Sequence, residues 1–483
     1  MRLSELTGSN DRASGIEVAG ITADSRAVMP GYVFAALRGL RTDGTRFIPD
    51  AIEQGAVAVL APSGVTVKED DVVLVSDDNP RRRLALMAAR FYPRQPETIV
   101  AVTGTNGKTS TADFAAQIWS RLGVNGGSLG TLGLRTSGGG SEGTLTTPDP
   151  VTLHQTLDRL AGDGIQHLAM EASSHGLDQY RLDGVRVSAA AFTNISHDHL
   201  DYHGSQEAYL AAKLRLFAEV MPEGGIAVLN VDLPEFEKIR AVCAARRQLV
   251  ITYGTDPAAD FRLVSAEPGL CGQTVEIAIN GQTHEVLLPL FGSFQAENAL
   301  AALALVIATG ADPSAAVGAL GHLRGVLGRA QLVAELSNRA KVFVDYAHTP
   351  DALSHVLSAL RPHTKGRLVV VFGCGGNRDR AKRPEMGRLA GELADHVIVT
   401  DDNPRDEDPA AIRQEILAAC PDAEEIGNRG RAIARGVDVM QPGDLLVVAG
   451  KGHETGQIVR GHVRPFDDTA VIRKAALAQG RQV

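Results

Sequence analysis

The chain reads as an α/β protein, and three observations predict that class. A glycine-rich loop, Ala101-Val-Thr-Gly-Thr-Asn-Gly-Lys-Thr-Ser110, lies between a short apolar run and an alanine-rich run with helical character. Short apolar runs alternate with helical stretches along most of the remaining chain. The composition, 44% hydrophobic and 22% charged with 51 glycines in 483 residues, suits many strand–helix turns. A chain of this length builds roughly two to four domains with their own cores.

Three blocks follow in order. In residues 1–95, apolar runs at 33–37, 56–60 and 72–75 alternate with polar turns, and 82–91 has helical spacing. Pro93-Arg-Gln-Pro96 has the composition of a linker. The second block, 96–328, opens with a strand at 98–102, the glycine loop and a helix at 111–122. Strands at 166–170, 187–192 and 225–229, a helix at 206–220, a β-rich insert at 249–291 and an apolar helix at 296–309 complete it. The third block, 329–483, has strands at 341–345, 367–374, 396–400 and 444–449 with helices between them. Such alternation favours parallel sheets covered on both faces. No solenoid-length repeat appears.

Strand, glycine turn and helix N-terminus together make an anion site. Backbone N–H groups and the helix dipole face a phosphate, Lys108 adds a charge, and the Thr109 hydroxyl is placed to hold Mg²⁺. The longer form of this motif would want glycine at position 102, which is Val, so Gly104-Thr-Asn-Gly-Lys-Thr109 is a shorter variant.

The net charge of −9 and the lack of a basic run argue against nucleic acid as a partner. Cys243, Cys271, Cys374 and Cys420 lie far apart without a C-x-x-C pair, which suggests reduced thiols in a cytoplasmic protein. The N-terminus has no apolar core of a signal peptide, and no apolar run reaches the about 18 residues of a membrane span.

Three further clusters carry chemistry. Met170-Glu-Ala-Ser-Ser-His-Gly-Leu-Asp178 follows a strand, so Glu171 emerges at a sheet's carboxyl edge, where a carboxylate beside a phosphate loop is a natural Mg²⁺ ligand. Asn194-Ile-Ser-His-Asp-His-Leu-Asp-Tyr-His-Gly204 holds three His and two Asp. It reads equally as a transition-metal site or as a polar loop satisfying its own backbone. Lys213 lies among apolar neighbours on a helix. A lysine there snorkels to solvent or, if desolvated, turns nucleophilic and captures CO₂ as a carbamate.

Taken together, these motifs resemble those of the Mur ligases: 103–110, Glu171-Ala-Ser-Ser-His-Gly, His197-Asp-His-Leu-Asp-Tyr-His-Gly and Ala212-Lys213. Asp24-Ser-Arg26 with Pro30-Gly-Tyr-Val-Phe resembles the family's N-terminal uridine-binding domain. Asp345-Tyr-Ala-His-Thr-Pro350, Phe372-Gly-Cys-Gly-Gly376 and Gly450-Lys-Gly-His-Glu454 resemble its C-terminal domain.

The resemblance implies a three-domain Mur ligase architecture with a central P-loop-type parallel sheet and a C-terminal Rossmann-like domain. The domains would be 1–95 for the UDP moiety, 96–328 for ATP and catalysis, and 329–483 for the amino acid. It also implies the reaction. ATP phosphorylates the free carboxylate of UDP-MurNAc-L-Ala-D-Glu, and the amine of a diamino acid displaces phosphate from the acyl phosphate in cytoplasmic peptidoglycan precursor synthesis. Lys108, Glu171, His199 and Lys213 would be catalytic. Gly104, Thr105, Asn106, Gly107, Lys108, Thr109, Ser110, Asn298, Arg329, Asp345 and His348 would bind ATP. Ser25, Thr146, Thr147, Ser173, Gln179 and Arg181 would bind the UDP substrate. Thr109 and Glu171 would hold one Mg²⁺, and His199 with carbamylated Lys213 (N6-carboxylysine) would serve a second. The partners implied are small-molecule substrates, and the enzyme would be a monomer.

Four positions depart from the family pattern: Gln295 for Asn, Ala330 for Met and Gln331 for Glu within Gly328-Arg-Ala-Gln, and Asn428 for Asp. Asp401-Asp-Asn-Pro-Arg405 resembles the family signature for meso-diaminopimelate, yet the same five letters stand at Asp77–Arg81. In the first copy Asp78 or Asn79 is expected only to cap a helix beside Pro80. The second copy follows a strand at a ligand-facing edge. There Arg378, Asp402, Asn403, Arg405, Gly450 and Glu454 would bind diaminopimelate. Arg405 would grip the distal carboxylate and Glu454 the adjacent ammonium. A lysine-adding homologue, a folylpolyglutamate synthetase-like ligase and a non-catalytic UDP-sugar-binding scaffold are the alternatives.

Overall fold

The strand expected at 98–102 forms over Thr98–Thr103 and lies among the parallel strands of a mixed sheet, antiparallel toward residues 133–141, whose order dictates where the neighbouring loops emerge. The computed structural model describes residues 1–8, 15–39, 42–67, 72–141, 143, 145–196 and 198–478. These form two compact units, Met1–Thr252 with Ala301–Asp312, and Tyr253–Leu300 with Pro313–Val483.

In the first unit the sheet runs Ile226–Asn230, Val187–Phe192, Thr98–Thr103, His167–Glu171, Gly126–Gly130, Gly133–Thr136 and Gly139–Ser141. Thr98–Thr103 pairs in parallel with Val187–Phe192 on one side and His167–Glu171 on the other. The next strand in the chain, Gly126–Gly130, lies two places away. The strand order therefore reverses beside Thr98–Thr103, and at such a switch point the loops leaving the carboxyl ends open a crevice. The three strands carry a continuous apolar core, with Ile99, Ala101, Leu168, Met170, Ala190 and Phe192 all fully buried.

The first ~95 residues form a second, four-stranded parallel sheet in sequential order, Gly20–Thr22, Tyr32–Ala35, Ala58–Pro62 and Val73–Asp77. Its helix runs over Pro80–Phe91, two residues longer than expected, because Asn79 caps it and Pro80 takes the first turn, where no backbone N–H is needed. The proline-bounded linker is pinned. Arg94 grips Asp158 at 2.7 Å, Gln95 Nε2 donates to Gly184 O at 2.9 Å, and Arg82 pairs with Asp183 at 2.9 Å.

The helix after the glycine loop spans Lys108–Arg121, starting three residues earlier than expected. Gly107, at φ 84°, is its N-cap, so Lys108 and Thr109 are helical residues rather than loop residues. The helix expected at 206–220 is α-helical over Gln206–Arg215 and then makes one π-helical turn, Leu216–Val220, ahead of Pro222.

In the second unit a six-stranded sheet runs Gln331–Glu335, Lys341–Asp345, Leu445–Ala449, Leu368–Phe372, His396–Val399 and Glu424–Glu425. Every pairing is parallel except the first. The loops after Asp345, Phe372, Val399 and Ala449 therefore leave one edge. The β-rich insert is an antiparallel meander of Phe261–Gly269, Gly272–Ile279 and Gln282–Leu288.

Candidate active site

The glycine loop is shaped by the end of the adjacent strand. At Gly104, φ is 146° and a Cβ would lie 1.9 Å from Thr193 Oγ1, so no other residue fits. Thr105 N donates to Asn194 O and Asn106 N to Asn194 Oδ1, each at 2.8 Å, while Thr193 Oγ1 donates to Asn106 O at 2.6 Å. Two lysines meet on one carbonyl. Lys108 Nζ donates to Gly104 O at 2.9 Å and to Thr105 O at 2.8 Å, and Lys213 Nζ donates to Gly104 O at 2.7 Å. Lys213 is 1% exposed and lies 4.3 Å from the centre of the Tyr209 ring. Burial pushes its ammonium well below the ordinary lysine range, and the charge of Lys108 adds to this. A neutral amine is the form that can add to CO₂. Ser110 is buried on the first turn of the helix.

Thr109 and Glu171 line one small cavity beside the loop. Glu171, the last residue of its strand, is 2% exposed; it accepts from Thr131 N at 2.7 Å and from the Thr131 hydroxyl at 3.2 Å. A Cβ on Gly130 would lie 2.1 Å from the carboxylate, which explains that glycine. Among the described residues Glu171 has no ion-pair partner. A buried carboxylate and a hydroxyl beside a phosphate loop are hard oxygen donors, the set that Mg²⁺ takes.

His199 has a left-handed backbone, φ 53°, and its Nε2 lies 3.5 Å from Asp198 Oδ2. Burial lowers its pKa, with Lys108 and Lys213 adding to the effect and Asp198 opposing it. His175 packs 4.8 Å from the His199 ring and 4.1 Å from Tyr202. Burial, then His199 and His203, push its pKa to about 4. Among the described residues no three His, Cys, Asp or Glu side chains converge as a metal cage. His197 lies outside the described residues.

A relay of hydroxyls leads away from Glu171. Thr131 Oγ1 bonds Thr146 Oγ1 at 3.0 Å; Thr147 Oγ1 donates to Glu171 O at 2.9 Å and accepts from Ser173 N at 3.0 Å. Arg181 then donates to Thr147 O at 2.7 Å and to Gln179 Oε1 at 2.8 Å. Gln179 and Arg181 line a cleft of about 420 Å³ with Asp24, Arg81 and Asp149. Ser25 begins the short helical turn that Asp24 caps.

In the second unit, Asp345 accepts from Ala330 N at 2.6 Å and Ala347 N at 2.7 Å, and burial raises its pKa against these bonds and Arg329. The Arg329 guanidinium lies 4.7 Å from the Tyr346 ring centre, and His348 Nδ1 is 3.0 Å from Tyr346 O. The altered family positions are all engaged. Gln295 donates to Arg329 O at 2.9 Å and accepts from Asn298 at 3.3 Å. Gln331 accepts from Gly328 N at 3.0 Å, and Asn428 caps its helix.

The strand-edge loops bring most of the predicted amino-acid group together. Asn403 Nδ2 donates to Glu454 Oε2 at 2.9 Å, and Asn403 Oδ1 accepts from Ile458 N at 2.9 Å. Arg405, at φ 53°, donates to Gly376 O at 2.9 Å. Gly450, at φ 113°, is forced by Asp402, whose Oδ2 would lie 2.7 Å from a Cβ there. Arg378 is exposed on the neighbouring loop. Sequence reasoning passed over Asn194, Thr131, Tyr209 and Lys451, which hold these groups. Only Tyr209 carried a signal, four residues before Lys213 on one helix face.

Family models match in chain order: the Mur ligase family catalytic domain at 17–92, the Mur ligase middle domain at 102–306 and the Mur ligase glutamate ligase domain at 328–452. The UDP-N-acetylmuramoyl-L-alanyl-D-glutamate–2,6-diaminopimelate ligase of Bradyrhizobium diazoefficiens is 51% identical, with 99% of each chain covered. A solved structure of a ligase of the same description is 33% identical with a TM-score of 0.75, covering both chains fully. A folylpolyglutamate synthase of Mycobacterium tuberculosis, solved with ADP and AMPPCP, is 18% identical at TM-score 0.65, covering 82% of this chain and 94% of its own; that likeness shows the fold alone.

Proposed function

Because the chain belongs to the Mur ligase family, we propose that it joins meso-2,6-diaminopimelate to UDP-MurNAc-L-Ala-D-Glu at the expense of ATP. The observation that carries this reading is the convergence of Arg405, Asn403 and Glu454 at one sheet edge, a receptor for a carbon bearing both a carboxylate and an ammonium. Full-length identity of 51% to a diaminopimelate ligase supports it.

A carboxylate is a poor electrophile, and transfer of the γ-phosphoryl group supplies its leaving group. The chain's task is then positioning and charge neutralisation. The amides of Gly104–Ser110 and Lys108 cradle the phosphates, and Asn298, Arg329, Asp345 and His348 take the adenosine. Ser25, Thr146, Thr147, Ser173, Gln179 and Arg181 hold the UDP substrate, with its acceptor carboxylate toward His199 and Lys213. Thr109 and Glu171 would hold one Mg²⁺, and His199 with the Lys213 carbamate a second; bound there, the metal neutralises the phosphoryl oxygens. The carbamate forms when the Lys213 amine attacks CO₂ and releases a proton. Arg378 takes the carboxylate beside the attacking amine, and Asp402 and Gly450 shape the pocket. These roles divide the chain at 1–95, 96–328 and 329–483 into UDP, ATP and amino-acid domains. We read the protein as a cytoplasmic monomer without a nucleic-acid partner. No helix among the described residues is long and apolar enough to cross a membrane.

Two measurements test this. Oxygen-18 in the acceptor carboxylate should appear in the released inorganic phosphate; its absence there ends the acyl-phosphate account. Lys213→Ala should lose at least about a hundredfold in turnover, with partial rescue by a small carboxylic acid. Full activity of that variant would remove the carbamate. Phosphate release with tetrahydrofolate and glutamate in place of the two named substrates would favour the folylpolyglutamate alternative.

A further inference from the structure

Lys451 is a fully buried lysine outside the set just assigned, and it touches two members of the amino-acid group at once. Its Nζ donates to Glu454 Oε2 at 2.7 Å and to Asn403 Oδ1 at 3.1 Å, and the residue is 0% exposed. Asn403 Nδ2 in turn donates to the same Glu454 Oε2 at 2.9 Å. The three side chains close a triangle.

The loop that carries Lys451 is tightly packed. It is flanked by Gly450 and Gly452, both in left-handed conformations at φ 113° and 56°. A Cβ on Gly450 would lie 2.7 Å from Asp402 Oδ2, and one on Gly452 would lie 2.8 Å from the Tyr346 Cβ. The backbone is pressed against its neighbours on either side of the lysine.

An ammonium buried to this degree is costly unless it is paired, and methionine would fill similar space without that cost. Its placement also opposes simple electrostatics, since a cation beside Glu454 weakens attraction for a second cation. What it contributes is orientation. Lys451 and Ile458 N both donate to Asn403 Oδ1, which fixes the amide so that Nδ2 faces Glu454. Lys451 and Asn403 then both hold Glu454 Oε2. Among the described residues Oε1 accepts no hydrogen bond, and it is the oxygen left for an incoming ammonium.

The geometry points to Lys451 as a positioning residue that sets selectivity for an amino acid with an ammonium group on its distal carbon. This rests on the reading of Glu454 as the partner of that ammonium. Lys451 touches no substrate; it acts through Glu454 and Asn403.

The test compares meso-diaminopimelate with 2-aminopimelate, which keeps the attacking amine and both carboxylates but lacks the distal amino group. The readout is the ratio of kcat/KM for the two, in the unaltered enzyme, Lys451→Met and Glu454→Gln, with thermal melting as the check on folding. In Lys451→Met the ratio should fall about tenfold or more, mostly through the KM for diaminopimelate, while 2-aminopimelate kinetics and the KM for ATP hold. An equal loss on both amino acids would mean a merely structural lysine and would overturn the inference. A ratio that falls in Glu454→Gln but not in Lys451→Met would overturn it too, leaving the reading of Glu454 intact. A ratio unmoved in Glu454→Gln would sink that reading, and the inference with it. Should the Met variant fail to fold, Lys451→Gln, which keeps a donor but not the charge, is held to the same outcomes.

Discussion

The pentapeptide Asp-Asn-preceded by Asp and followed by Pro-Arg occurs twice in this chain, and the two copies do different work. In Asp77–Arg81, Asn79 accepts from Arg82 N at 3.1 Å and caps the helix that Pro80 begins; Asp78 accepts from the Ser63 hydroxyl at 2.6 Å. All of this is local or superficial. In Asp401–Arg405 the asparagine is 4% exposed and bonds Lys451, Glu454 and Ile458, some fifty residues away in sequence. Asp402 Oδ2 is buried with no hydrogen-bond partner among the described residues, and Arg405 adopts a left-handed backbone. The difference arises after the motif. Arg82-Arg-Leu-Ala-Leu-Met87 continues as a helix, whereas Asp406-Glu-Asp408 delays the next helix to Pro409. A string of residues states donors and acceptors; the chain around it decides whether they face backbone or ligand.

The largest effect that separates the copies belongs to their arginines. Arg405→Ala should raise the KM for diaminopimelate about a hundredfold while leaving the KM for ATP in place, because a distal carboxylate loses a bidentate partner. Arg81 donates to Arg38 O at 2.6 Å and lines the cleft near Arg181, so Arg81→Ala should leave the diaminopimelate KM alone and act, if anywhere, on the UDP substrate. Steady-state kinetics with each substrate varied in turn decides it. Equal rises in diaminopimelate KM for both variants would erase the distinction. Next in size is Asn403→Ala, which leaves Lys451 and Glu454 each short of a partner. It should raise the diaminopimelate KM about tenfold and lower unfolding free energy by about 1–3 kcal/mol. A stability loss without the kinetic change would make the second Asn a structural residue like the first.

The same contrast marks how far the sequence could be read. Local features were legible. The strand at 98–102, the emergence of Glu171 at a strand end and the Asn79 cap follow from residues within a few positions of one another, whereas the apolar neighbours of Lys213 fit a snorkelling lysine as well as the buried one observed. The helix after the glycine loop begins at Lys108 rather than 111 because Gly107 takes the cap with no side-chain signal. Partners supplied from far along the chain were not legible. Thr131 holds Glu171 from 40 residues away, Asn194 wraps the glycine loop from 88, and Lys451 reaches Asn403 from 48. The 93–96 linker carries the proline signature of a tether, yet Asp158 and Gly184 pin it. Nothing in a linear pattern names such partners until strand order places the loops side by side.

The smallest effect is the sharpest control on the comparison. Asn79→Ala removes one side-chain acceptor from the first turn of Pro80–Phe91, a helix whose Leu84, Ala85, Met87 and Ala88 are buried. Losing an N-cap costs about 1 kcal/mol, since a first-turn N–H falls back on water, and the exposed Arg82 N can find it. The helix should therefore persist, with a small drop in urea midpoint and an unchanged denaturant slope. The KM for diaminopimelate should not move, because the bonds of Asn79 are local, from its own N–H to Asp77 and from Arg82 N to its side chain. Asn79→Ser, which restores an acceptor of the right reach, should recover most of the loss, whereas Asn403→Ser is too short to span Lys451 and Glu454 together and should not. Recovery at both positions would mean that the second asparagine, too, serves only its own backbone.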